Sequence, residues 1–292
     1  YILILILRRF FSEKKSYILI DQSIGKIISN IFFRKIRFSN FITLSQSMLS
    51  FFRGVNQEAR LYDLQHGILY NDKENYIFHG VPDANLSQNN VNLLLTGESY
   101  KNILISNERN RFFHSNSHVI GSKLESSVSK HRFFNKRVLV TLQFTQDHSL
   151  EQNMQLFNAI KDYILSSPKE IEFYLKDHPR SSNEIDLSEL LKLKNVYKSS
   201  YDINKAFDLC SLHITVYSTS VFEAAMLEIP SIIIAPLNRL NFFVNEFNYP
   251  LNKDLIEYYD NSIYIRSSQI VRKWAERYYS SYNENNFIRL MR

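Results

Sequence analysis

The chain has 292 residues, of which 45% are hydrophobic and 22% charged, with only six glycines and six prolines. This balance is typical of a globular protein with one large core or two smaller ones, and it excludes fibrous repeats and extended disorder. The formal net charge of +6 favours anionic partners, but the Lys and Arg residues are dispersed and match no nucleic-acid-binding module, so nucleic acid is not expected as a partner.

The beginning of the chain and its cysteine content bear on its location. Residues 1–7 form an apolar run that is too short to span a bilayer, and we interpret it as a buried strand. Because the sequence starts with Tyr1 rather than Met, we expect a fragment or processed chain that lacks its extreme N-terminus. The single cysteine, Cys210, lies in an apolar stretch, which indicates a buried thiol and a reducing, cytoplasmic compartment.

In the first half, short apolar runs are separated by polar turns. The pattern predicts helices over 24–33 and 98–105, strands over 41–44, 61–64, 76–78 and 92–95, and a strand and turn over 117–121. The polar and basic stretch 124–136 predicts a linker between two domains, one over 1–135 and the other over 136–292.

In the second half, predicted strands alternate with predicted helices. The strands are expected over 137–142, 170–175, 196–197, 212–216 and 231–235, and the helices over 149–165, 187–193, 203–209 and 267–282. This alternation predicts βαβ units and a parallel sheet, so the fold class is α/β, with two halves and a cleft between them.

Three polar clusters follow predicted strands. The first is Gln65-His66-Gly67, the second runs from Lys176 to Arg180, and the third is Ser218-Thr219-Ser220 together with Glu223. Ligands of open α/β sheets bind outside the carboxyl ends of the strands, so all three clusters are candidate ligand-binding loops.

The second cluster suits an anion. His178 precedes Pro179, which holds it in an extended conformation, and Lys176 and Arg180 make the loop positive. An imidazole N–H in such a loop can donate to a phosphate oxygen. The alternative is a solvated basic loop without a ligand.

The third cluster lies where a strand is expected to pass into a helix. Hydroxyls of Ser218, Thr219 and Ser220 at a helix N-terminus can donate to phosphate oxygens without adding charge. Glu223 either completes a capping box or reaches a ribose hydroxyl. The alternative is that Ser220 merely caps the helix.

His66 lies on a turn, because the glycine after it allows a close approach of the backbone. Its imidazole can act as a base or bind a sugar hydroxyl, and the alternative is an ordinary turn histidine.

Several motifs are missing from the sequence. It contains no Asp-x-Asp pair, no Cys/His spacing for zinc, no phosphate-binding P-loop, no Gly-x-Gly-x-x-Gly and no Gly-x-Ser-x-Gly. We therefore expect no metal and no bound cofactor, and neither dinucleotide nor esterase chemistry.

Four motifs occur in an order that resembles a known family. They are Leu-Gln-His-Gly at 64–67, Leu-Leu-Thr-Gly-Glu at 94–98, the pair His178-Pro179, and Tyr-Ser-Thr-Ser at 217–220 followed by Ile-Pro-Ser at 229–231. They resemble those of bacterial GT-B glycosyltransferases of surface-polysaccharide assembly: sialyl- and polysialyltransferases, capsule Kdo transferases and teichoic-acid glycerophosphotransferases. The sequence departs from these patterns at Ile229, where relatives often carry Gly, and it lacks their acidic base motif, so the general base is unassigned.

The resemblance implies two Rossmann-like domains that face a cleft, with the N-terminal domain incomplete. It implies that Lys176, His178, Pro179, Arg180 and the hydroxyl turn at 218–220 bind the phosphate of a CMP- or CDP-activated sugar donor, and that Glu223 contacts the ribose. His66 would contact the acceptor or donor sugar, and His66 and His178 are the catalytic candidates.

The activity implied by the resemblance is metal-independent transfer of a sugar, or of glycerol phosphate, to a glycan or a lipid-linked glycan. The chain would then be cytoplasmic, with peripheral contact at the inner membrane permitted by its basic and aromatic composition. Two alternatives stay open: an enzyme similar to UDP-N-acetylglucosamine 2-epimerase, and a non-catalytic glycan-binding protein of the same fold.

Overall fold

The structure, a computed structural model, describes residues 6–8, 16–122, 131–181, 184–234 and 242–292. The chain divides into two compact units, one formed by Tyr1–Leu124 together with Arg277–Arg292 and the other by Glu125–Glu276. Each unit is built around a parallel sheet with helices, so the predicted α/β fold of two Rossmann-like domains is confirmed.

The first unit contains a four-stranded parallel sheet. Its strands are β1 (Asn40–Leu44), β2 (Arg60–Leu64), β5 (Val91–Leu95) and β6 (Ser117–Val119), in the order β1-β2-β5-β6. A short hairpin pairs β3 (Ile77–Phe78) with β4 (Val81–Pro82). The helices are α1 (Tyr17–Phe32), α2 (Leu49–Val55), α3 (Ala84–Ser87), α4 (Glu98–Asn107), α5 (Phe112–Asn116) and, from the end of the chain, α11 (Glu284–Met291).

The predicted strand over 1–7 is wrong where it can be compared with the structure. Ile6 and Leu7 are helical, whereas residues 1–5 lie outside the described part of the chain. The helix predicted over 24–33 is longer than expected, since α1 already begins at Tyr17 and includes the apolar run at 17–20. A short apolar run fits a buried helix segment as well as a strand, and hydrophobicity alone does not separate the two.

The end of the chain returns to the first unit. Phe287, Leu290 and Met291 of α11 pack on the sheet residues Tyr62 and Leu94, which form one apolar cluster with them. The predicted division counted residues 277–292 with the second domain, whereas these contacts group them with the first unit.

The helix predicted over 267–282 is displaced. The observed helix, α10, spans Asn261–Ala275. Asp260 caps its N-terminus, because its side chain accepts hydrogen bonds from the N–H groups of Ser262 and Ile263. After it, the Ser280 N–H donates to the Thr96 carbonyl at 2.9 Å. This pairing with the first unit replaces continuation of the helix.

The second unit contains a five-stranded parallel sheet. Its strands are β7 (Arg137–Thr141), β8 (Glu172–Lys176), β9 (Val196–Lys198), β10 (Leu212–Thr215) and β11 (Ser231–Ile233), in the order β11-β10-β7-β8-β9. The α-helices are α6 (Leu150–Ser166), α7 (Ser188–Leu191), α8 (Ile203–Leu209), α9 (Ser220–Met226) and α10, joined by a π-helical turn at Phe242–Glu246 and a 3₁₀ turn at Leu255–Tyr259.

The strand order of the second unit creates a switch point. The chain starts at the central strand β7, builds outward through β8 and β9, and then crosses to β10 on the other side of β7. Connections leave β7 and β10 in opposite directions, which opens a crevice at their carboxyl ends. Val138, Val140 and Ile214, each at most 1% exposed, fix these strands in the core.

Candidate functional site

A cavity of about 490 Å³ lies at the carboxyl ends of β7, β8 and β10 in the second unit. This is the switch point of the sheet, where open α/β folds bind ligands. Its lining includes seven of the eight residues predicted to bind the donor: Lys176, His178, Pro179, Ser218, Thr219, Ser220 and Glu223. The structure therefore brings the histidine-proline loop and the hydroxyl turn together around one cavity.

Arg180 is the predicted residue that does not line this cavity. Its guanidinium is largely exposed and forms an ion pair with Asp147 at 2.8 Å. Its backbone N–H, by contrast, donates to the Nδ1 of His178 at 3.1 Å. The contribution of Arg180 to the loop is thus made by its backbone.

This backbone contact sets the tautomer of His178. Because Nδ1 accepts a hydrogen bond, a neutral ring carries its proton on Nε2. Partial burial lowers the pKa of His178, and the nearby Arg180 lowers it further. At neutral pH the side chain is consequently an uncharged Nε2–H donor.

The hydroxyl turn is held by its own hydrogen bonds. The Ser220 hydroxyl donates to the Ser218 oxygen at 2.7 Å, and the Ser220 N–H points to the same oxygen at 3.3 Å. Helix α9 begins at Ser220, and the preceding Thr219 makes no side-chain capping bond. The alternative that Ser220 caps the helix is therefore wrong, as is the capping box with Glu223.

Glu223 lines the cavity from the first turn of α9. Burial raises the pKa of its carboxyl group. Among the residues that the structure describes, no side chain forms a hydrogen bond or an ion pair with this carboxylate. Its oxygens are available as acceptors for a ligand hydroxyl.

Lys176 supplies positive charge at the end of β8. Within the described ranges its ammonium has no carboxylate partner, whereas the neighbouring Asp177 is paired with Lys198 at 2.8 Å. The cavity thus combines the ammonium of Lys176, the imidazole N–H of His178 and four hydroxyl side chains, a set of groups that suits an anionic ligand, with the carboxylate of Glu223 at its side.

His213 supports the site from below, and no sequence pattern singles it out. It is fully buried in β10, and burial lowers its pKa from 6.5 to about 3. Its Nε2 lies 2.9 Å from the Thr141 hydroxyl and 3.3 Å from the Ser220 hydroxyl, and its Nδ1 lies 2.8 Å from the Ser231 hydroxyl. This neutral ring ties the cavity residues Thr141 and Ser220 to the sheet.

His66 belongs to the first unit and is exposed on the turn after β2. The preceding Gln65 fixes this turn, because its Oε1 accepts from the N–H and hydroxyl of Thr96 at 3.0 and 3.1 Å. The side-chain amide Nε2 of Gln65 donates to the Gly67 carbonyl at 2.8 Å, and Gly67 has a φ of +75°. The turn is ordered by these bonds while the imidazole stays open to solvent.

Within the described part of the chain, no group of three or more His, Cys, Asp or Glu side chains could hold a metal ion. No helix in the same part is long and apolar enough to cross a membrane.

Solved structures resemble this chain although no protein-family model and no curated sequence matches it. The UDP-GlcNAc 2-epimerase from Methanocaldococcus jannaschii has a TM-score of 0.55 and 13% identity, over 95% of this chain and 83% of its own. TarM has a TM-score of 0.54 and 13% identity, over 86% of this chain, which spans only 54% of TarM. MnaA from S. aureus, solved with UDP, has a TM-score of 0.50 and 11% identity, over 96% of this chain and 79% of its own. At such identities the likeness establishes the architecture, so the chain has a GT-B-like fold of two Rossmann-like domains.

Proposed function

We propose that the protein is a metal-independent glycosyltransferase, which moves a sugar from a nucleotide-activated donor to a glycan or lipid-linked glycan acceptor. The observation that carries this proposal is the cavity at the switch point, where His178, Lys176 and the turn at 218–220 meet. The GT-B-like fold and the UDP in the MnaA structure support a nucleotide sugar as the ligand class.

In this proposal the donor phosphate lies against the hydroxyl turn at 218–220 and the ammonium of Lys176. Negative charge grows on the departing nucleotide phosphate as the glycosidic bond breaks. The Nε2–H of His178, fixed by the Arg180 N–H at its other nitrogen, then donates a stronger hydrogen bond than in the ground state. Fixed donors of this kind lower the barrier because they bind the transition state better than the substrate.

Two further residues complete the proposed machinery. The unpartnered carboxyl of Glu223 would accept hydrogen bonds from ribose hydroxyls, which uses its place in the cavity lining. The exposed imidazole of His66 would contact the acceptor or donor sugar and is the candidate for moving the acceptor proton.

The donor nucleotide is tested by a binding panel. The motifs resemble those of CMP- and CDP-dependent enzymes, whereas MnaA was solved with UDP. Thermal shifts with CMP, CDP and UDP should show stabilisation by one of the three in the natural chain, and a weaker shift in Ser220→Ala. Stabilisation by none of them would overturn the nucleotide-sugar proposal and favour the glycan-binding alternative.

A second candidate is epimerisation of a UDP-sugar, which the likeness to the M. jannaschii 2-epimerase favours. Mass spectrometry of the acceptor and NMR of the donor sugar, after incubation of the protein with both, separate the two candidates, because epimers have the same mass. A transferase adds the mass of one sugar to the acceptor, whereas an epimerase leaves the acceptor unchanged and produces an isomer of the donor.

We also propose that the first unit contacts the surface of the inner membrane through α1 and the residues after it. No Asp or Glu occurs between Asp21 and Glu58, a stretch that contains five Lys and Arg residues. Large apolar side chains in it are exposed, among them Ile31 at 61% and Phe32 at 65%. Exposed apolar groups close in sequence to basic residues fit an anionic bilayer.

A further inference from the structure

A second cavity, of about 210 Å³, lies within the first unit. It is lined from three elements, by the first turn of α4, the edge strand β6 and the last helix α11. The polar residues of the lining are Glu98, Lys101, Ser117, His118, Asn286 and Arg289. None of them takes part in the donor cavity, which belongs to the second unit.

Two cations face this cavity from different elements. Lys101 lies on α4 and Arg289 on α11, and neither has a carboxylate partner within the residues described. Arg289 instead donates to the Asn286 side-chain oxygen at 3.2 Å. The single carboxylate of the lining, that of Glu98, leaves one net positive charge there. The cavity therefore attracts an anion.

His118 completes the set of polar groups. Its Nε2 lies 3.0 Å from the Asn92 Oδ1, while the Asn92 amide nitrogen donates to the Leu61 carbonyl. Nε2 thus carries a proton, and Nδ1 of the neutral ring has a lone pair. Burial lowers the pKa of His118, and the charges of Lys101 and Arg289 lower it further.

The hydroxyl of Ser117, the neighbour of His118 on β6, does not open onto the cavity. Ser117 is 2% exposed, and its oxygen has no hydrogen-bond partner in the part of the chain that the structure describes. Because this oxygen is sealed from solvent, a ligand in the cavity does not reach it, and the polar groups left for a ligand are those of Lys101, Arg289 and His118.

We propose that this cavity binds a phosphate group, held between Lys101 and Arg289 with the imidazole of His118 as a third donor. The phosphate offsets the two cations that disfavour protonation of His118, so the ring takes up a proton on binding and its Nδ1 becomes a donor. With less than half the volume of the donor cavity, the site admits inorganic phosphate or a small phosphomonoester rather than a nucleotide.

A phosphate bound in this cavity would connect parts of the first unit that are distant in sequence. A ligand that bridges α4 and β6 to α11 holds the returning end of the chain against the sheet. Phosphate binding at this site requires no sugar transfer, so its test does not depend on the function proposed above.

The test uses calorimetry with sulfate and phosphate at pH 6 and pH 8, with sodium chloride at matched ionic strength as reference. Sulfate does not titrate in this range, so any proton uptake belongs to the protein. We expect sulfate to bind more tightly at pH 6, by up to about tenfold per pH unit for one proton taken up. NMR of the His118 ring should show protonation when sulfate is added.

Variants assign the effect to this cavity. Arg289→Gln should weaken sulfate binding at least about tenfold through loss of a charge-assisted contact. Arg292→Gln, which removes the same charge three positions later and outside the lining, should leave it unchanged. His118→Gln should abolish the pH dependence.

Glycerol 3-phosphate serves as the second probe. If glycerol 3-phosphate binds more tightly than inorganic phosphate, the cavity is a phosphomonoester site. If the two bind equally, it is a site for the phosphate ion. Either result supports the proposal. Anion binding that persists in Arg289→Gln, or a His118 resonance that sulfate does not move, overturns it.

Discussion

His178 and Arg180 lie two positions apart in one loop, yet the structure gives them different surroundings. His178 lines the switch-point cavity, whereas the Arg180 side chain is paired with Asp147 outside it. Their sequence context alone predicts the same phosphate contact for both. The two residues therefore form a matched pair for testing the proposed transfer reaction.

We expect His178→Ala to lower kcat by about 100-fold, the effect typical of removing one preorganised donor at a developing negative charge. KM for the acceptor should change little, because the lost hydrogen bond forms at the donor phosphate. Steady-state kinetics with the donor identified by the nucleotide panel measures both. In Arg180→Gln, whose side chain is outside the cavity, kcat should stay within about threefold of the natural chain, since exposed ion pairs contribute little. Equal losses in the two variants would contradict the assigned role of His178.

His213 gives the second unit a pH-dependent stability. Its pKa is depressed from 6.5 to about 3 by burial, so the folded state keeps the ring neutral while the unfolded state takes up a proton below pH 6.5. Stability is therefore lost as the pH falls through this window, by at most about 1.4 kcal/mol per pH unit. Urea unfolding of the natural chain between pH 7 and pH 4 measures the slope.

The control for this slope is His213→Asn, which keeps a polar amide between Thr141 and Ser231 but does not titrate. Its free energy of unfolding will be lower at pH 7, so the comparison is between slopes rather than between values. A slope in the variant as steep as in the natural chain would assign the pH dependence to other groups.

At the scale of elements, α1 and α2 are packed unusually closely, through glycines at their crossing. A Cβ on Gly54 would lie 2.0 Å from the Gln22 carbonyl oxygen, and one on Gly25 would lie 2.1 Å from the Phe51 carbonyl oxygen. Both opposing atoms belong to the backbone, so the helices themselves must move apart to admit a methyl group.

Gly54→Ala should destabilise the first unit by about 2 kcal/mol, the range for overpacking a close contact, despite the better helix propensity of Ala. Chemical denaturation followed by circular dichroism measures the change. Asn30→Ala on the exposed side of α1 is the control, and propensity alone should make it neutral or slightly stabilising. Equal stability of Gly54→Ala and the natural chain would show that the two helices separate without cost.

The strands that could be predicted are those whose sequence is locally decisive. Leu93, Leu94 and Leu95 are all fully buried, and a continuous apolar run of this kind marks a strand covered on both faces. The bounds predicted for the helix over 267–282 are wrong, because the apolar spacing in the sequence continues to Tyr278 whereas the observed helix ends at Ala275. What ends the helix is long-range, since Ser280 pairs with Thr96 of the first unit.

The candidate site also has a part that the sequence predicts and a part that it does not. The histidine-proline loop and the hydroxyl turn are predictable because each follows a strand, and parallel strands bring their carboxyl ends to one edge. His213 is not predictable, because its partners come from neighbouring strands: the register sets Ser231 directly opposite it, and Thr141 lies two positions beyond its partner Leu139. The alternation of strands and helices in the second unit predicts the fold class. The packing of α11 on the first sheet is not predictable in this way, because it depends on contacts between residues distant in sequence.

At the scale of the whole molecule, the charge of the chain is unevenly distributed. The stretch between Asp21 and Glu58 contains five basic residues and no acidic one, within a chain whose total formal charge is only +6. Ile31, Phe32 and Ile36 in this stretch are 61%, 65% and 54% exposed. The combination distinguishes this surface from an ordinary solvated basic face, which carries few large apolar side chains.

We expect the chain to sediment with vesicles that contain anionic phosphatidylglycerol and not with neutral phosphatidylcholine vesicles. Changing Arg34, Lys35 and Arg37 together to Gln should weaken binding on the order of a hundredfold, from about 1 kcal/mol per basic residue near an anionic surface. Phe32→Ser should weaken it as well, because a purely electrostatic contact would not need the ring. The control removes equal charge from exposed lysines of the second unit: Lys169, Lys192 and Lys194. Binding that falls equally in both triple variants would mean that net charge, rather than this surface, holds the protein to the membrane.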